Sequence, residues 1–304
     1  MNLSVILCTW NNSSRLEITL KNFLEIEVPH AMTWELVVVN NNSTDLTNET
    51  VQYFTHRLPI KYVEENNQGL SYARNAGLRA ATGDLIIFTD DDVKPCKDWL
   101  RIYWEAYQKN PDDYFWGGPI ESEFEEPPPD MELIRLGPCS VKGLDWGTQH
   151  KILNLDGGEY FIAANWGCPA KALSVVGEFD VHLGLNPSSN KVLVGEENNL
   201  MNRLVIGGLN PLYLPDAKIQ HFVPKSKVTL EHIAVRKEAT GYISAESLIC
   251  NHDVQLFGVP RWLIFKCFSF WFKFFFNRCL FREWHSYYLE YRFLVGCIKG
   301  IKKQ

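Results

Sequence analysis

Residues 85–92 have the sequence Leu85-Ile-Ile-Phe-Thr-Asp-Asp-Asp92, a short apolar run that ends in three adjacent acids. An unbroken run of this length, with Gly83 before it and Pro95 behind it, is typical of a parallel strand buried on both faces. Neighbouring carboxylates repel one another unless a cation neutralises them, and ligands of open α/β sheets bind beyond such strand ends. The stretch therefore predicts a Mg2+ or Mn2+ site, with an acidic surface turn as the alternative.

Strands and helices alternate along the chain before this stretch. The apolar periodicity predicts strands at 3–9, 34–39, 60–63 and 85–89, and helices at 13–23, 46–55 and 69–81. This order predicts a doubly wound, mostly parallel sheet with polar residues at its carboxyl edge. The acidic residues 121–129, which end in three prolines, predict a loop that is either a mobile lid over the cleft or a passive linker. The sequence contains neither GxGxxG nor GxxxxGK[ST], which excludes a dinucleotide fingerprint and a P-loop.

Composition indicates a globular protein with one substantial core. The chain has 304 residues, of which 46% are hydrophobic and 22% are charged. Its eight cysteines form no CxxC pair, which argues against a zinc ribbon and favours a reducing compartment. The N-terminus lacks the basic region and the long apolar stretch of a secretion signal. We therefore expect a cytoplasmic protein.

The net charge of −6 conceals a basic C-terminal segment. Residues 261–304 contain nine Lys or Arg and two Glu, so this segment carries +7 and the remainder of the chain −13. Aromatic residues dominate 261–278, but Lys266, Lys273 and Arg278 interrupt them, which disfavours a membrane-spanning helix. We expect an amphipathic element that binds an anionic membrane surface; the alternative is a helical hairpin packed on the core. The acidic body disfavours a nucleic-acid partner.

A collinear series of motifs resembles family 2 glycosyltransferases of the GT-A fold. The first four are VILCTWN at 5–11, ELVVVNNNSTD at 35–45, GLSYARN at 69–75 and FTDDD at 88–92. Further matches are WGGP at 116–119, GEFD at 177–180, GEENNL at 195–200 and PDAKIQH at 215–221. The resemblance implies an inverting enzyme that transfers a sugar from a nucleotide diphosphate to a hydroxyl.

The same resemblance implies an α/β fold of the nucleotide-diphospho-sugar transferase type, with a Rossmann-like, mostly parallel sheet. We expect this GT-A domain over residues 1–225, with a donor half in 1–115 and an acceptor half in 116–225. A helical, aromatic extension is expected over residues 226–304.

Donor and metal roles follow from the resemblance, residue by residue. Asp92 and Asp90 would bind the cation, and His221 would be a third ligand, a donor to the diphosphate or a structural histidine. The residues expected to contact the nucleotide sugar are Thr9, Asn11, Asn40, Asn41, Arg74, Asp90 and Asp91. Asn40 stands where many relatives have Asp, which leaves the base preference open. The alternatives are a helix cap for Asn40 and a salt bridge on the helix surface for Arg74.

The resemblance also assigns the acceptor side. Glu197 would be the general base, and Glu196 would bond to neighbouring backbone or to the acceptor; alternatively, both acids only stabilise the first turn of a helix. The residues expected to line the acceptor site are Trp116, Gly118, Asn165 and Trp166, with burial in the core as the alternative for the tryptophans.

Together these features predict a metal-assisted glycosyltransferase at the inner face of a membrane, with a lipid-linked or cell-surface polysaccharide precursor as acceptor. One alternative is a soluble protein or small-glycan acceptor. Others are a catalytically silent nucleotide-sugar or glycan-binding protein and a membrane scaffold. The intact acids Asp90, Asp92 and Glu197 argue against the silent protein.

Overall fold

The computed structural model describes residues 1–186, 194–245 and 254–303. These residues form two compact units. The first unit contains residues 1–123, 143–186 and 196–222, and the second contains residues 124–142, 194–195, 223–245 and 254–303. Every site residue predicted from the sequence lies in the first unit.

The strands of the described residues are β1 (Leu3–Thr9), β2 (Trp34–Asn40), β3 (Ile60–Glu64), β4 (Leu85–Asp90), β5 (Val93–Pro95), β6 (Tyr114–Gly117), β7 (Ile120–Phe124), β8 (Lys151–Ile152), β9 (Trp166–Pro169), β10 (Asn210–Tyr213), β11 (Ile219–Val223), β12 (Gln255–Leu256) and β13 (Val259–Pro260). Eight of them form one sheet in the order β3-β2-β1-β4-β9-β6-β10-β8. Strands β3, β2, β1 and β4 are mutually parallel, whereas β9 is antiparallel to both β4 and β6. The predicted α/β fold with a mostly parallel sheet is confirmed.

The helices of the described residues are α1 (Ser13–Phe23), α2 (Thr47–Phe54), α3 (Leu70–Ala80), α4 (Trp99–Lys109), α5 (Met131–Arg135), α6 (Cys139–Lys142), α7 (Ala170–Val176), α8 (Glu196–Ile206), α9 (Leu230–Ile243), α10 (Arg261–Cys279) and α11 (His285–Ile301). A short 3-10 helix spans Lys225–Lys227. The elements predicted up to residue 90 are confirmed, with bounds that differ by one residue at most.

The prediction of a loop at 121–129 is wrong for residues 121–124, which form a strand. Strand β7 occupies Ile120–Phe124 and lies beside β11 in a three-stranded sheet with β5. Its side chains alternate from buried Ile120 to exposed Glu121, and Lys94 of β5 forms an ion pair with Glu123 at 2.5 Å. This pairing neutralises an acid in the strand, so the acidic composition alone does not indicate a loop.

Close packing of α3 on the central sheet fixes the position of the site. Strand β1 is buried along its whole length, as expected for a central parallel strand. A Cβ added at Gly77 of α3 would lie 2.5 Å from Cγ2 of Ile6, so only glycine allows this approach. Helix α3 therefore packs closely on β1. This packing also fixes the position of Arg74, which lies one turn before Gly77.

The second unit contains the predicted C-terminal helices. Helices α9 and α11 are in backbone contact, because a Cβ at Gly241 or Gly296 would lie 2.0 Å from a carbonyl oxygen of the other helix. Glu238 of α9 also bonds to Arg292 and Lys299 of α11 at 2.7 and 2.6 Å. None of the helices that the structure describes combines the length and the hydrophobicity needed to cross a bilayer.

Candidate active site

The carboxyl ends of three parallel strands bring the candidate residues together. In the register of the sheet, Thr9 of β1 lies beside Asn40 of β2, and Cys8 of β1 lies beside Asp90 of β4. Side chains that follow these positions therefore lie along one edge of the sheet, where open α/β sheets bind ligands.

A group of possible metal ligands lies at the end of β4. One ligand atom from each of Asp90, Asp92 and His221 lies within 4.8 Å of the others. Strand β11 positions His221 beside these acids. The strand pairs antiparallel with β5, and the Phe222 amide donates to the Asp92 carbonyl at 2.9 Å. His221 Nε2 lies 3.3 Å from Asp92 Oδ1. Two carboxylates and one imidazole are a donor set that fits Mn2+ or Mg2+.

Asp91 has different partners from the acids on either side of it. Its carboxylate accepts hydrogen bonds from Thr9 Oγ1 at 2.6 Å and from Asn12 Nδ2 at 2.8 Å. Burial, with the charge of Asp92, raises the pKa of the Asp91 carboxyl. Sequence reasoning missed Asn12, although its place directly after Asn11 at the end of β1 was a usable signal.

Arg74 forms a buried ion pair with the two predicted acceptor-side acids. Its Nη1 lies 2.8 Å from Glu196 Oε1, and its Nη2 lies 3.4 Å from Glu197 Oε1. The guanidinium lies 5.3 Å from the centre of the Phe179 ring. Burial by itself would lower the pKa of Arg74, but the two glutamates raise that pKa above its usual value. The structure thus places Arg74 beside Glu196 and Glu197, where its charge offsets theirs.

Glu196 and Glu197 occupy the first turn of α8, where the helix dipole favours negative charge. The side chain of Glu196 is 4% exposed, whereas that of Glu197 is 16% exposed and is accessible to a ligand. Burial and the charge of Glu196 raise the pKa of Glu197 to about 7, while Arg74 opposes the shift. Glu197 can therefore exchange a proton near neutral pH.

Asn41 holds the turn that precedes α3. Its Nδ2 donates to the carbonyls of Glu65 and Asn67, and its Oδ1 accepts from the Gly69 amide and from Gln68 Nε2. A side-chain amide makes four such bonds at most. All four hydrogen bonds of the Asn41 amide are thus made within the protein, where they hold this loop. Its predicted contact with the nucleotide sugar remains a prediction.

Asn40 and Asn11 hold the loop that follows β2. Asn40 Nδ2 donates to Tyr62 Oη at 2.8 Å, and its Oδ1 accepts from the Ser43 amide at 2.9 Å. Asn11 is exposed at a positive φ of 49°, and its Oδ1 accepts from the Thr44 amide. Their predicted contacts with the nucleotide remain predictions.

Asn165 joins four parts of the first unit. Its Oδ1 accepts from Trp99 Nε1 at 2.8 Å and from Tyr103 Oη at 2.9 Å, while its Nδ2 donates to the carbonyls of Pro119 and Ala217. The residue is fully buried. All four hydrogen bonds of the amide are made within the protein, so this side chain has no polar group left to bind a sugar acceptor.

Trp116 and Trp166 are also fully buried. The Trp166 ring stacks on Phe88 at 4.8 Å, and Trp116 meets the edge of Tyr107 at 6.0 Å. A Cβ at Gly118 would lie 2.0 Å from a backbone oxygen, so this glycine serves close backbone packing. Neither tryptophan ring has a face open to solvent, so the structure does not support the predicted contacts of these residues with an acceptor.

Residues 4–153 match the model of glycosyl transferase family 2. This part of the chain belongs to that family. The family 2 match includes Thr9, Arg74 and the three adjacent aspartates, whereas the acids of α8 and His221 lie beyond it. The predicted family is confirmed.

Two curated relatives illustrate the extent of the similarity. A Haloferax volcanii protein named glucosyl-dolichyl phosphate glucuronosyltransferase is 27% identical over 151 residues, which cover 47% of this chain and 47% of that protein. The chain thus spans less than half of that relative's length. The succinoglycan biosynthesis protein ExoM of Rhizobium meliloti is 24% identical over 249 residues, which cover 79% of this chain and 73% of ExoM.

A solved structure confirms the fold of the family 2 chain. The mannosyltransferase PcManGT from Pyrobaculum calidifontis, in complex with GDP-Man and Mn2+, aligns over 100% of this chain and 88% of its own. The TM-score is 0.63 at 18% identity. This likeness shows the GT-A fold and, at that identity, nothing beyond the fold.

Proposed function

We propose that this protein is an inverting glycosyltransferase that moves a sugar from a nucleotide-diphosphate sugar to a hydroxyl of a lipid-linked or cell-surface polysaccharide precursor. One observation carries the proposal: the same site combines a group of hard metal ligands with a glutamate whose pKa is raised to about 7. The charge of Asp90 contributes to the raised pKa of Glu197, so the two parts interact electrostatically.

Asp90, Asp92 and His221 would hold the metal ion beside the donor. A bound Mn2+ or Mg2+ would stabilise the negative charge that develops on the leaving diphosphate. PcManGT, which shares the fold, was solved with GDP-Man and Mn2+, and this supports a donor and metal of the same classes here. The choice between Mn2+ and Mg2+ is left to experiment.

Glu197 would remove the proton from the acceptor hydroxyl. As the proton moves to the carboxylate, the hydroxyl oxygen bonds to the anomeric carbon on the face opposite the diphosphate. The bond from that carbon to the diphosphate breaks, and the nucleoside diphosphate leaves with the electron pair. Arg74 orients Glu197 and lowers its pKa relative to burial alone.

The acceptor class rests on the relatives. The names of the two curated relatives refer to a glucosyl-dolichyl phosphate and to succinoglycan biosynthesis, and these names support a lipid-linked or polysaccharide precursor as acceptor here. A membrane surface is accordingly part of the proposal, and a location at its cytoplasmic face stays a prediction.

A thermal-shift screen of the full chain tests the proposal. The ligands are UDP-, GDP- and dTDP-sugars, with a CMP-sugar as a monophosphate control, each with and without Mn2+. We expect one diphosphate donor to raise the Tm only when the metal is present, because a ligand that binds the folded state stabilises it. A shift with the CMP-sugar alone would contradict the diphosphate donor, and no shift with any donor would favour a silent protein or a scaffold.

A further inference from the structure

Helix α10 exposes a row of aromatic side chains. Five phenylalanines, each between 51% and 65% exposed, form what we call the phenylalanine face: Phe265, Phe268, Phe272, Phe275 and Phe276. Their spacing of three and four residues places them on one side of the helix. A continuous apolar surface of this kind marks an interaction site rather than ordinary surface.

The opposite side of α10 is already packed. Leu263 and Cys267 are buried in one cluster with Leu294, Cys297 and Ile301. The helix is therefore fixed on α11 by that side, and the phenylalanine face points away from this cluster. A helix that is apolar on both sides needs a second apolar environment.

The turn after α10 extends this apolar surface. Leu280 is 46% exposed and Phe281 is 99% exposed. Phe281 has a φ of 54°, a backbone conformation that is costly for a bulky residue. The turn therefore presents a bulky apolar side chain to solvent at the cost of backbone strain.

The charges beside the phenylalanine face distinguish an anionic surface from a second copy of the chain. Helix α10 contains Arg261, Lys266, Lys273 and Arg278 and no acid. Lys266 and Lys273 are exposed and lie two turns apart on one flank of the face. A second copy would bring the same cations together and be repelled, whereas anionic lipid headgroups would attract them.

We propose that the phenylalanine face of α10 binds an anionic lipid bilayer, with the helix parallel to the membrane and its lysines at the lipid phosphates. The rings would enter the boundary between headgroups and acyl chains, as in helices that lie at membrane interfaces. This inference rests on the proposed function and names the surface that would meet the membrane. Vesicle binding is measured without a nucleotide sugar, so its failure is distinguishable from a failure of sugar transfer.

Vesicle sedimentation of the full chain tests this surface. We compare phosphatidylcholine vesicles with and without phosphatidylglycerol. The triple variant F268S/F272S/F275S should bind the anionic vesicles about tenfold more weakly or worse than the wild type, because three exposed rings are lost. The matched control L46S/Y53S/V175S removes three exposed apolar residues elsewhere and should bind as the wild type does. Wild-type protein that stays in the supernatant, or a triple variant that binds fully, overturns the proposal.

Charge reversal tests the lysine contacts separately. K266E/K273E should weaken binding to the anionic vesicles by about tenfold or more, since each cation near such a surface contributes measurably. K21E/K109E reverses two exposed lysines outside α10 and should leave binding unchanged. Equal binding by both double variants would contradict the proposal.

Two further measurements address folding and self-association. F281N places a residue that tolerates positive φ at the exposed tip, and should weaken vesicle binding even if the triple variant fails to fold. Full binding by F281N, together with a misfolded triple variant, counts against the proposal. Sedimentation velocity without lipid should show the same species for the wild type and F268S/F272S/F275S. A wild-type dimer that this variant dissociates would assign the face to a second copy instead.

Discussion

Arg74 Nη1 lies 2.8 Å from Glu196 Oε1, and each of the two side chains is only 4% exposed. Removing one partner of such a pair leaves an uncompensated buried charge, which typically costs about 3–5 kcal/mol. We therefore predict that R74M lowers the free energy of unfolding by about that amount. Urea denaturation followed by circular dichroism measures it.

The same helix offers a matched control. Arg79 of α3 lies 2.8 Å from Glu178, but its side chain is 55% exposed. R79M should change the free energy of unfolding by less than about 1 kcal/mol, because exposed ion pairs contribute little. Equal losses in R74M and R79M would contradict a special role for the buried pair.

The raised pKa of Glu197 predicts a pH dependence of turnover. A general base acts in its deprotonated form, and burial raises the pKa of this carboxyl to about 7. The kcat of the donor complex should therefore rise with pH through about 7 and then level off. A turnover that stays constant between about pH 5 and pH 8 would exclude Glu197 as the titrating base.

Substitution of Glu197 separates its role from donor binding. E197Q should lower kcat by about 10²-fold or more and leave the donor Kd unchanged, because the amide cannot accept the proton. The exposed acid Glu17 provides the control, and E17Q should retain full turnover. Wild-type turnover in E197Q would remove the assignment.

Asn165 is predicted to stabilise the fold rather than to bind an acceptor. N165A leaves the donors of Trp99 and Tyr103 and two backbone carbonyls without a partner in a buried region. Each unsatisfied buried group costs about 1–3 kcal/mol, so we expect a loss of at least about 3 kcal/mol in urea denaturation. N48A at an exposed position should cost less than about 0.5 kcal/mol. A stable N165A protein with a raised acceptor KM would support the acceptor role instead.

The sequence was sufficient to predict the strands around the site and the cluster at Asp90 and Asp92. Both follow from local patterns: apolar periodicity for the strands, and adjacent acids after one of them. The partners of Arg74 were not predictable in this way, since Glu196 lies 122 residues further along the chain. Contacts over such a separation depend on how α3 and α8 pack.

Side-chain direction explains why the structure differs from the predicted acceptor site. Asn165 and Trp166 occupy adjacent positions at the start of β9, yet both are buried in the core. The ability of aromatic rings to stack on sugars suggested an acceptor site, whereas the structure buries these rings in the core. The sequence carries no signal for this choice, because an aromatic residue suits a core as well as a carbohydrate site.

Calorimetric titration with the nucleotide-sugar donor, in the wild type and in D92N, tests the central claim most directly. The control D156N changes an exposed acid outside the site. We predict that the wild type and D156N bind the donor only with Mn2+, whereas D92N shows no metal-dependent binding because a neutral amide replaces a charged carboxylate ligand. Donor binding of equal affinity in D92N and the wild type, or binding that is independent of the metal in all three proteins, would contradict the account.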